Sequence, residues 1–570
     1  MTPTRLVLLA TLMLAPPLAA QDPVGIDFSR PAADSSRRRR EIPDSVLVRA
    51  MAHYNDPSTT RVSGNVELPL GNVWRGTQAL HRGQLRIDGR VEGDLLVING
   101  DVRITGSGVV TGSVTVLGGR ILVDGGGTVG GAQVEYPETA PLTLTPDGRL
   151  IRQAPRRSLT DFTSASRTFT WRNFETTLRA DPGSYNRVEG FPLEFGPSIV
   201  WHRDEQSRVV LDLVGIVRTA SDPTESRRTL GWRGRLAAVR GGKYPMTIGL
   251  RGGSVIAPVA DQPYQTIESG LGAFLLRRDW RDWYASRTFG VFADLTLRPT
   301  LQLSAGVDQS RERTVSAVDA FSLLRGNEAW RPNPLVDDGK YLTFSASATV
   351  DTRDDRRRPT SGWYLRSDVR YVTSDELTPA TLPQEIRTAM PTSNYDALEM
   401  DLDLRRYQRL GPEQSLHVRL TGGGWLAGNR LTIQRRRAMN GTDPLAGYGF
   451  RFVNCDRRRR PDPALPALCD RQLALQVEYR RTLGLDLSSR IGNTTIGLQR
   501  PDLVIFGDAG SAWLAGAGAG RVPSNRIQSI AEWRSDIGVG LDVGTFGVYV
   551  AKALADPEPI RFGLRVTRRF

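Results

Sequence analysis

Leu398-Glu399-Met400-Asp401-Leu402-Asp403-Leu404-Arg405 sets an apolar residue at every even position and a charged one at every odd position. A period of two marks a β-strand whose two faces meet different surroundings. The alternation recurs at Leu416, Val418 and Leu420 against Ser415, His417, Arg419 and Thr421. It recurs again at Ile560, Phe562, Leu564 and Val566 against Arg561, Gly563, Arg565 and Thr567. A soluble, half-buried sheet alternates in the same way. The charge on the polar face suits a wet lumen instead, and apolar-out, polar-in is what a membrane-embedded barrel needs. Strand signals continue from about residue 161 to the aromatic Phe570, with segments near 187, 208, 228, 245, 268, 287, 300, 340, 361 and 394 and six more downstream. The expected fold is all-β: a transmembrane β-barrel of about sixteen strands over 161–570. The seam would lie between Arg187–Val200 and Ile560–Phe570, with Gly563 weakening the last strand.

The upstream third reads differently. Residues 1–20 carry Arg5, an apolar run from Leu6 to Ala15 and small residues Leu18-Ala19-Ala20, the layout of a cleaved export signal. No Cys follows to take a lipid anchor. No later stretch has eighteen consecutive apolar residues, so helical membrane spans are not expected. Residues 21–59 read as a disordered linker with the basic run Arg37–Arg40 and a short helix around Ser45–His53. Over 60–135 an aliphatic residue is repeatedly followed two positions later by Gly: Ile87/Gly89, Val91/Gly93, Ile98/Gly100, Ile104/Gly106, Val110/Gly112, Val116/Gly118, Val123/Gly125 and Val129/Gly131. Spacing near six is the pattern of a hexapeptide β-solenoid; a Gly-rich sandwich is the competing reading. The stretch resembles the bactofilin-like polymer-forming β-helices. Residues 136–160, with Pro137, Pro141, Pro146 and Pro155, read as a second linker.

Lys and Arg total 75 against 61 Asp and Glu, a net charge of +14. The charge follows no single stripe and the chain carries an export signal, so nucleic acid is not an expected partner. Lumenal water and lipid phosphates are. Cys455 and Cys469 share one Arg- and Pro-rich loop, and an exported chain meets oxidising conditions; a disulfide and two separate thiols are both open. The four His (His53, His81, His202, His417) lack metal-ligand spacing. Gly516–Gly520 precedes Arg521-Val522-Pro523 rather than a helix, so it offers no phosphate cradle. No enzyme, cofactor or metal is expected.

Several motifs, in order, carry a family resemblance over about 340–570. They are Asp351-Thr352-Arg353-Asp354 with Pro359-Thr360-Ser361-Gly362-Trp363, then Glu478-Tyr479-Arg480, Phe506-Gly507-Asp508-Ala509-Gly510, Gly538-Val539-Gly540 and Phe546-Gly547. Together they resemble the BamA/TamA-type outer-membrane assembly factors, the bacterial surface antigen family. The resemblance implies a barrel in the cell outer membrane, an N-terminal domain in the periplasm, and protein insertion or translocation with unfolded outer-membrane proteins as clients. It also implies that the loop over about 428–470 folds into the lumen. The family's loop tip reads Val/Leu-Arg-Gly-Phe/Tyr; here Leu445-Ala446-Gly447-Tyr448 puts Ala446 where Arg is expected. In the family that Arg meets the Asp of the Phe-x-Asp-x-Gly strand, which is Asp508 here, with Gly510 and Glu478 beside it on the wall. A buried carboxylate without a cation is costly. Arg451 or Arg437 of the same loop is the expected substitute, or else Asp508 faces water. Phe562, Leu564, Val566 and Phe570 form the C-terminal strand signal. The family's periplasmic POTRA domains have no counterpart in 21–160, which leaves two other roles open: an anchor for a self-associating solenoid, and a passive, anion-biased channel.

Overall fold

The computed structural model describes residues 42–570 except 137–139, 141, 146–147, 153–164, 205, 221–228, 260–265, 326, 357, 383–389, 412, 440–443, 456–463, 484, 492–493, 500, 544–545, 567 and 570. The export signal, the basic run at Arg37–Arg40 and Phe570 lie outside the described residues.

The N-terminal region is a parallel β-solenoid. Successive coils align Gln78 with Leu95, Leu95 with Val114 and Val114 with Gln133. The long strands Gln78–Ile87 and Leu95–Ile104 supply two faces of a coil. Short strands such as Arg90–Glu92 and Val109–Val110 supply the third, in a second sheet. Gly83 turns the corner in the first long strand: its φ is +148°, and a Cβ there would sit 1.8 Å from the Gly64 carbonyl oxygen. Leu80, Leu85, Ile87, Val91, Val97, Val102, Ile104, Val110 and Val116 stack into one dry core. Ile98 points the other way. With Ala79, Leu96 and Leu117 it forms an outer apolar face, covered by Leu47, Ala50 and Tyr54 of helix α1 (Asp44–Asn55). These three share one helical face. A small antiparallel hairpin, Leu142–Leu144 with Leu150–Arg152, adds Leu142 and Leu150 to that cluster. Part of the segment expected to be linker is thus folded cover for the solenoid.

Downstream lies one antiparallel sheet of seventeen strands in chain order. They are β1 (Ala165–Trp171), β2 (Phe174–Pro182), β3 (Pro192–His202), β4 (Ser207–Arg218), β5 (Leu230–Arg240), β6 (Met246–Val259), β7 (Asp282–Arg298), β8 (Leu301–Thr314), β9 (Asp338–Asp351), β10 (Gly362–Thr378), β11 (Tyr395–Gly411), β12 (Gln414–Gly428), β13 (Arg471–Thr482), β14 (Asp502–Trp513), β15 (Arg534–Val543), β16 (Phe546–Ala553) and β17 (Arg561–Arg565). Short turns join the strands at one end and long connections at the other, as in outer-membrane barrels. A separate hairpin, Asp486–Ile491 with Thr494–Gln499, interrupts the short-turn end.

Two sequence expectations change. The count is seventeen against about sixteen: β1 and β2 precede the segment expected to start the wall, and the segment near 268 drops out of it. The segment near 268 is helix α2 (Thr266–Leu276), whose small residues Gly270 and Ala273 lie buried against the β2–β3 and β8–β9 connections. No described helix is long and apolar enough to cross a membrane.

The opening octapeptide now shows which face is inside. On β11, Glu399 and Asp403 are buried, while Met400, Leu402 and Leu404 are only half-covered. Glu399 accepts from Arg370 at 2.8 Å, and Asp403 from Arg419 at 3.0 and 3.1 Å. Outward, Ile248, Leu250, Phe289 and Val291 of β6 and β7 lie exposed side by side. A soluble sheet would bury the leucines and expose the charges; this one does the reverse.

Candidate functional site: the lumenal loop, its wall and the chain end

The β12–β13 connection, residues 429–470, folds back into the barrel. Its descending limb makes a short 3-10 turn at Ile433–Arg435. Gln434 Nε2 donates to Glu312 at 2.7 Å, and Arg435 grips the same carboxylate at 2.7 and 3.1 Å. The Ile433 N–H donates to Asp337 at 2.8 Å; burial still pushes that carboxyl up from its ordinary range. The two limbs are pinned to each other by paired backbone bonds between Arg437 and Cys469, both 2.9 Å, and the Cys455–Cys469 disulfide closes the returning limb on itself.

The tip motif docks on the wall of β13–β16. The Gly447 N–H donates to Asp536 at 2.7 Å, and the Tyr448 hydroxyl to the Ser535 carbonyl at 3.2 Å. Burial pushes the Tyr448 phenol up to about 12, so it stays a neutral donor. Gly447 is required by space: a Cβ would lie 2.7 Å from the Ala553 nitrogen and 2.8 Å from Asp536 Cβ. Leu445 packs with Met439, Ala474 and Ala512, and Ala446 with Val504, Phe506 and Ala551. Gly510 leaves room for Met439, whose sulfur would be 2.7 Å from a Cβ there.

The cation on Asp508 is neither Arg451 nor Arg437. Arg437 reaches Asp401 of β11 at 2.9 and 3.0 Å. Arg451 pairs with Asp282 at the start of β7, where Arg187 (3.1 Å) and Arg331 (2.6 Å) converge on the same carboxylate. Both loop arginines are thus committed to other walls. Asp508 does not face water either; its side chain is fully buried. It is met by Arg569, from the chain end. Arg569 also donates to the Pro444 carbonyl at 2.8 Å, approaches Glu478 at 3.6 Å and lies 4.5 Å over the Phe506 ring. One side chain therefore joins wall, loop and chain end. Glu478 is further held by Arg480 at 2.7 Å, and Arg480 by Asp542 at 2.6 Å.

Arg569 can reach this point because β17 stops early. Phe562 and Leu564 are exposed on the outer face as expected, but Val566 is not: it is buried, and its N–H donates to Glu268 of α2 at 3.2 Å. The chain has left the sheet and turned inward. Gly563 serves packing, since the Tyr549 ring would overlap a Cβ there (2.0 Å), and Arg565 stacks on that ring at 4.3 Å. In sequence, Arg568-Arg569 read as two more strand positions. The available signal was an adjacent Arg pair on a strand end whose wall lacked a cation. The Arg187–Asp279–Asp282–Arg331 cluster was missed as well, because its members are far apart in the chain. Among the described residues no group of His, Cys, Asp and Glu could hold a metal ion.

The solenoid touches the barrel at its short-turn end. Arg409, at the end of β11, donates to both oxygens of Asp101 at 3.0 Å and to Thr360 at 2.9 Å. Thr360 belongs to the turn organised by Asp354, which accepts from the Thr360 and Ser361 N–H groups at 2.9 and 3.1 Å.

Residues 264–545 match the Omp85 superfamily domain. No curated protein matches the chain. Similar solved structures include BamA from Haemophilus ducreyi lacking POTRA domains 1–3, at 11% identity and TM-score 0.40, covering 70% of this chain and 74% of that one. CdiB from Acinetobacter baumannii is similar at 11% identity and TM-score 0.29, and CdiB from Escherichia coli at 9% and 0.31, each over 70% of this chain. This chain spans 60% and 63% of those two CdiB chains. The strand order, the folded-back loop and the domain match lead to one conclusion: this is an outer-membrane β-barrel that carries an Omp85 superfamily domain over residues 264–545.

Proposed function

We propose that the barrel inserts or translocates proteins at the outer membrane, with the solenoid on the periplasmic side. The observation that carries this reading is the unclosed sheet: among the described residues no ladder joins β17 to β1 or β2. Unpaired strand edges template further strands. The last strand pairs over only five residues, from Gly547↔Arg565 to Ala551↔Arg561, so little holds it. The lumenal loop and Arg569 then connect the state of that strand to the wall. The superfamily domain supports the same role, and the fold needs no cofactor or nucleotide for it. Clients would be unfolded outer-membrane proteins arriving from the periplasm, where the solenoid stands in the place of POTRA domains. A passive anion-biased channel is the weaker reading. The loop is anchored to Asp401, Asp536 and Asp282 on separate walls, and so crosses the path that a solute would take.

The test is reconstitution. Purified full-length protein in proteoliposomes is expected to accelerate folding of a urea-denatured client barrel over protein-free liposomes, and deletion of residues 444–448 is expected to abolish the gain. A folded, reconstituted protein that gives no acceleration overturns the reading.

A further inference from the structure

An odd strand count constrains the ends of the sheet. Neighbours alternate in direction, so β1 and β17 run the same way, while β2 and β17 run oppositely. Antiparallel closure is therefore available to β2 with β17 and denied to β1 with β17. Yet β1 occupies the edge of β2, paired from Ala165↔Ala180 to Trp171↔Phe174.

β1 is lightly held. Every one of its residues is exposed, whereas a mid-wall strand such as β13 buries alternate side chains. Across the ladder, the Thr168 and Thr177 hydroxyls meet at 2.9 Å. Its outward residues Phe169 and Trp171 continue the apolar outer face of Phe174, which stacks on Trp201 at 6.1 Å. β1 thus matches the chemistry of a wall strand while contributing little buried contact.

We propose that β1 is a displaceable seam strand. It holds the edge of β2 that β17 needs, and the barrel exchanges between an open seventeen-strand sheet with β1 in place and a closed sixteen-strand barrel without it. Parity also sets what the seam accepts. With β1 in place, the gap to β17 takes an odd number of antiparallel strands; with β1 gone, it takes an even number. The inference rests on strand direction and on the exposure of β1, and is independent of the insertion role.

Site-specific cross-linking of the full chain tests it, using outward positions that leave the lumenal network intact. Arg167→Cys with Leu178→Cys reports β1 on β2. Leu178→Cys with Ile560→Cys, Phe562→Cys or Leu564→Cys reports β2 near β17. With a short thiol cross-linker, the first pair should join in most molecules and the β17 pairs in a minority. Deleting residues 165–171 should raise at least one β17 pair from that minority to the majority of folded barrels. Phe169→Pro, which removes the donor that the hydrogen-bonded pair Phe169↔Thr176 needs without shortening the chain, should raise the same pair several-fold and covers the case in which the deletion fails to fold. The proposal is overturned if β2–β17 products form equally in the intact chain, or if they stay in that minority in heat-modifiable barrels whose β1 is deleted or broken.

Discussion

The solenoid and the barrel use one strand period and turn it in opposite senses. In the solenoid the inward residues are Leu80, Val97, Val102 and Val116, and the charges ride outside, as in the Arg103–Asp124 pair at 3.0 Å. In the barrel the inward residues are Glu399, Asp403, Arg419 and Glu478, and leucine and phenylalanine ride outside. Hydrophobic burial stabilises the first at about 1.5–3 kcal/mol per large side chain. The second interior depends on every charge finding a partner, because an orphaned buried ion costs more than the pair ever contributed. The two regions should therefore break differently: the solenoid by loss of volume, the barrel by loss of a single ion.

The largest effect is expected at Arg569. Arg569→Ala leaves Asp508 without the guanidinium and strips the Pro444 carbonyl of a donor, and should destabilise the barrel by about 3–5 kcal/mol. A lowered temperature of the heat-modifiability transition checks this. Ile87→Ala in the solenoid core should cost about 3 kcal/mol, seen as faster amide exchange over residues 60–136 while the barrel transition stays put. A barrel that melted along with it would show the two regions to be one cooperative unit. Cys469→Ser opens the disulfide that closes the returning limb of the lumenal loop and should cost about 2 kcal/mol under oxidising conditions; increased protease cleavage between Cys455 and Cys469 is the readout. Arg409→Ala removes a partly buried pair at the junction and should cost about 1 kcal/mol, yet raise solenoid mobility relative to the barrel by spin-label or fluorescence anisotropy. The smallest effect is acid-linked. Hydrogen bonds from Arg86 and then Thr105 hold the Asp88 carboxyl down at about 2. Its folded value lies below the unfolded value near 4, so its contribution is present above pH ~4 and fades as pH falls towards 2. Solenoid exchange rates should rise over that window in the natural chain and stay flatter in Asp88→Asn.

Periodicity made most of the fold legible. Strict alternation at 398–405 and 415–421 marked wall strands, and the six-residue spacing marked the coils. It was weaker where one period serves two faces. Ile98 shares the spacing of Ile104 but faces α1, because the long strands expose a second apolar side that the helix covers. The Thr266–Leu276 stretch is apolar and Gly-containing, so it passed for a strand; its helical burial depends on partners at 184–185 and 320 that no local pattern announces. At the site, the motif located the loop tip and Asp508 but not the cation. Arg451, Arg437 and Arg569 are equivalent as residue types, and the choice among them is made by where each backbone ends up. Val566 leaving the sheet is the step that places Arg569, and it depends on Glu268, some three hundred positions earlier in the chain.

The most direct measurement concerns the source of that cation. Arg569→Ala and the double variant Arg569→Ala/Ala446→Arg would be compared with the natural protein by heat-modifiability and by client insertion in proteoliposomes. Arg569→Ala is expected to lower both, and Ala446→Arg to restore both in part by supplying the guanidinium from the loop tip. If Arg569→Ala matched the natural protein in both assays, the chain end would not be the partner of Asp508, and the coupling between last strand and lumenal loop described above would be wrong.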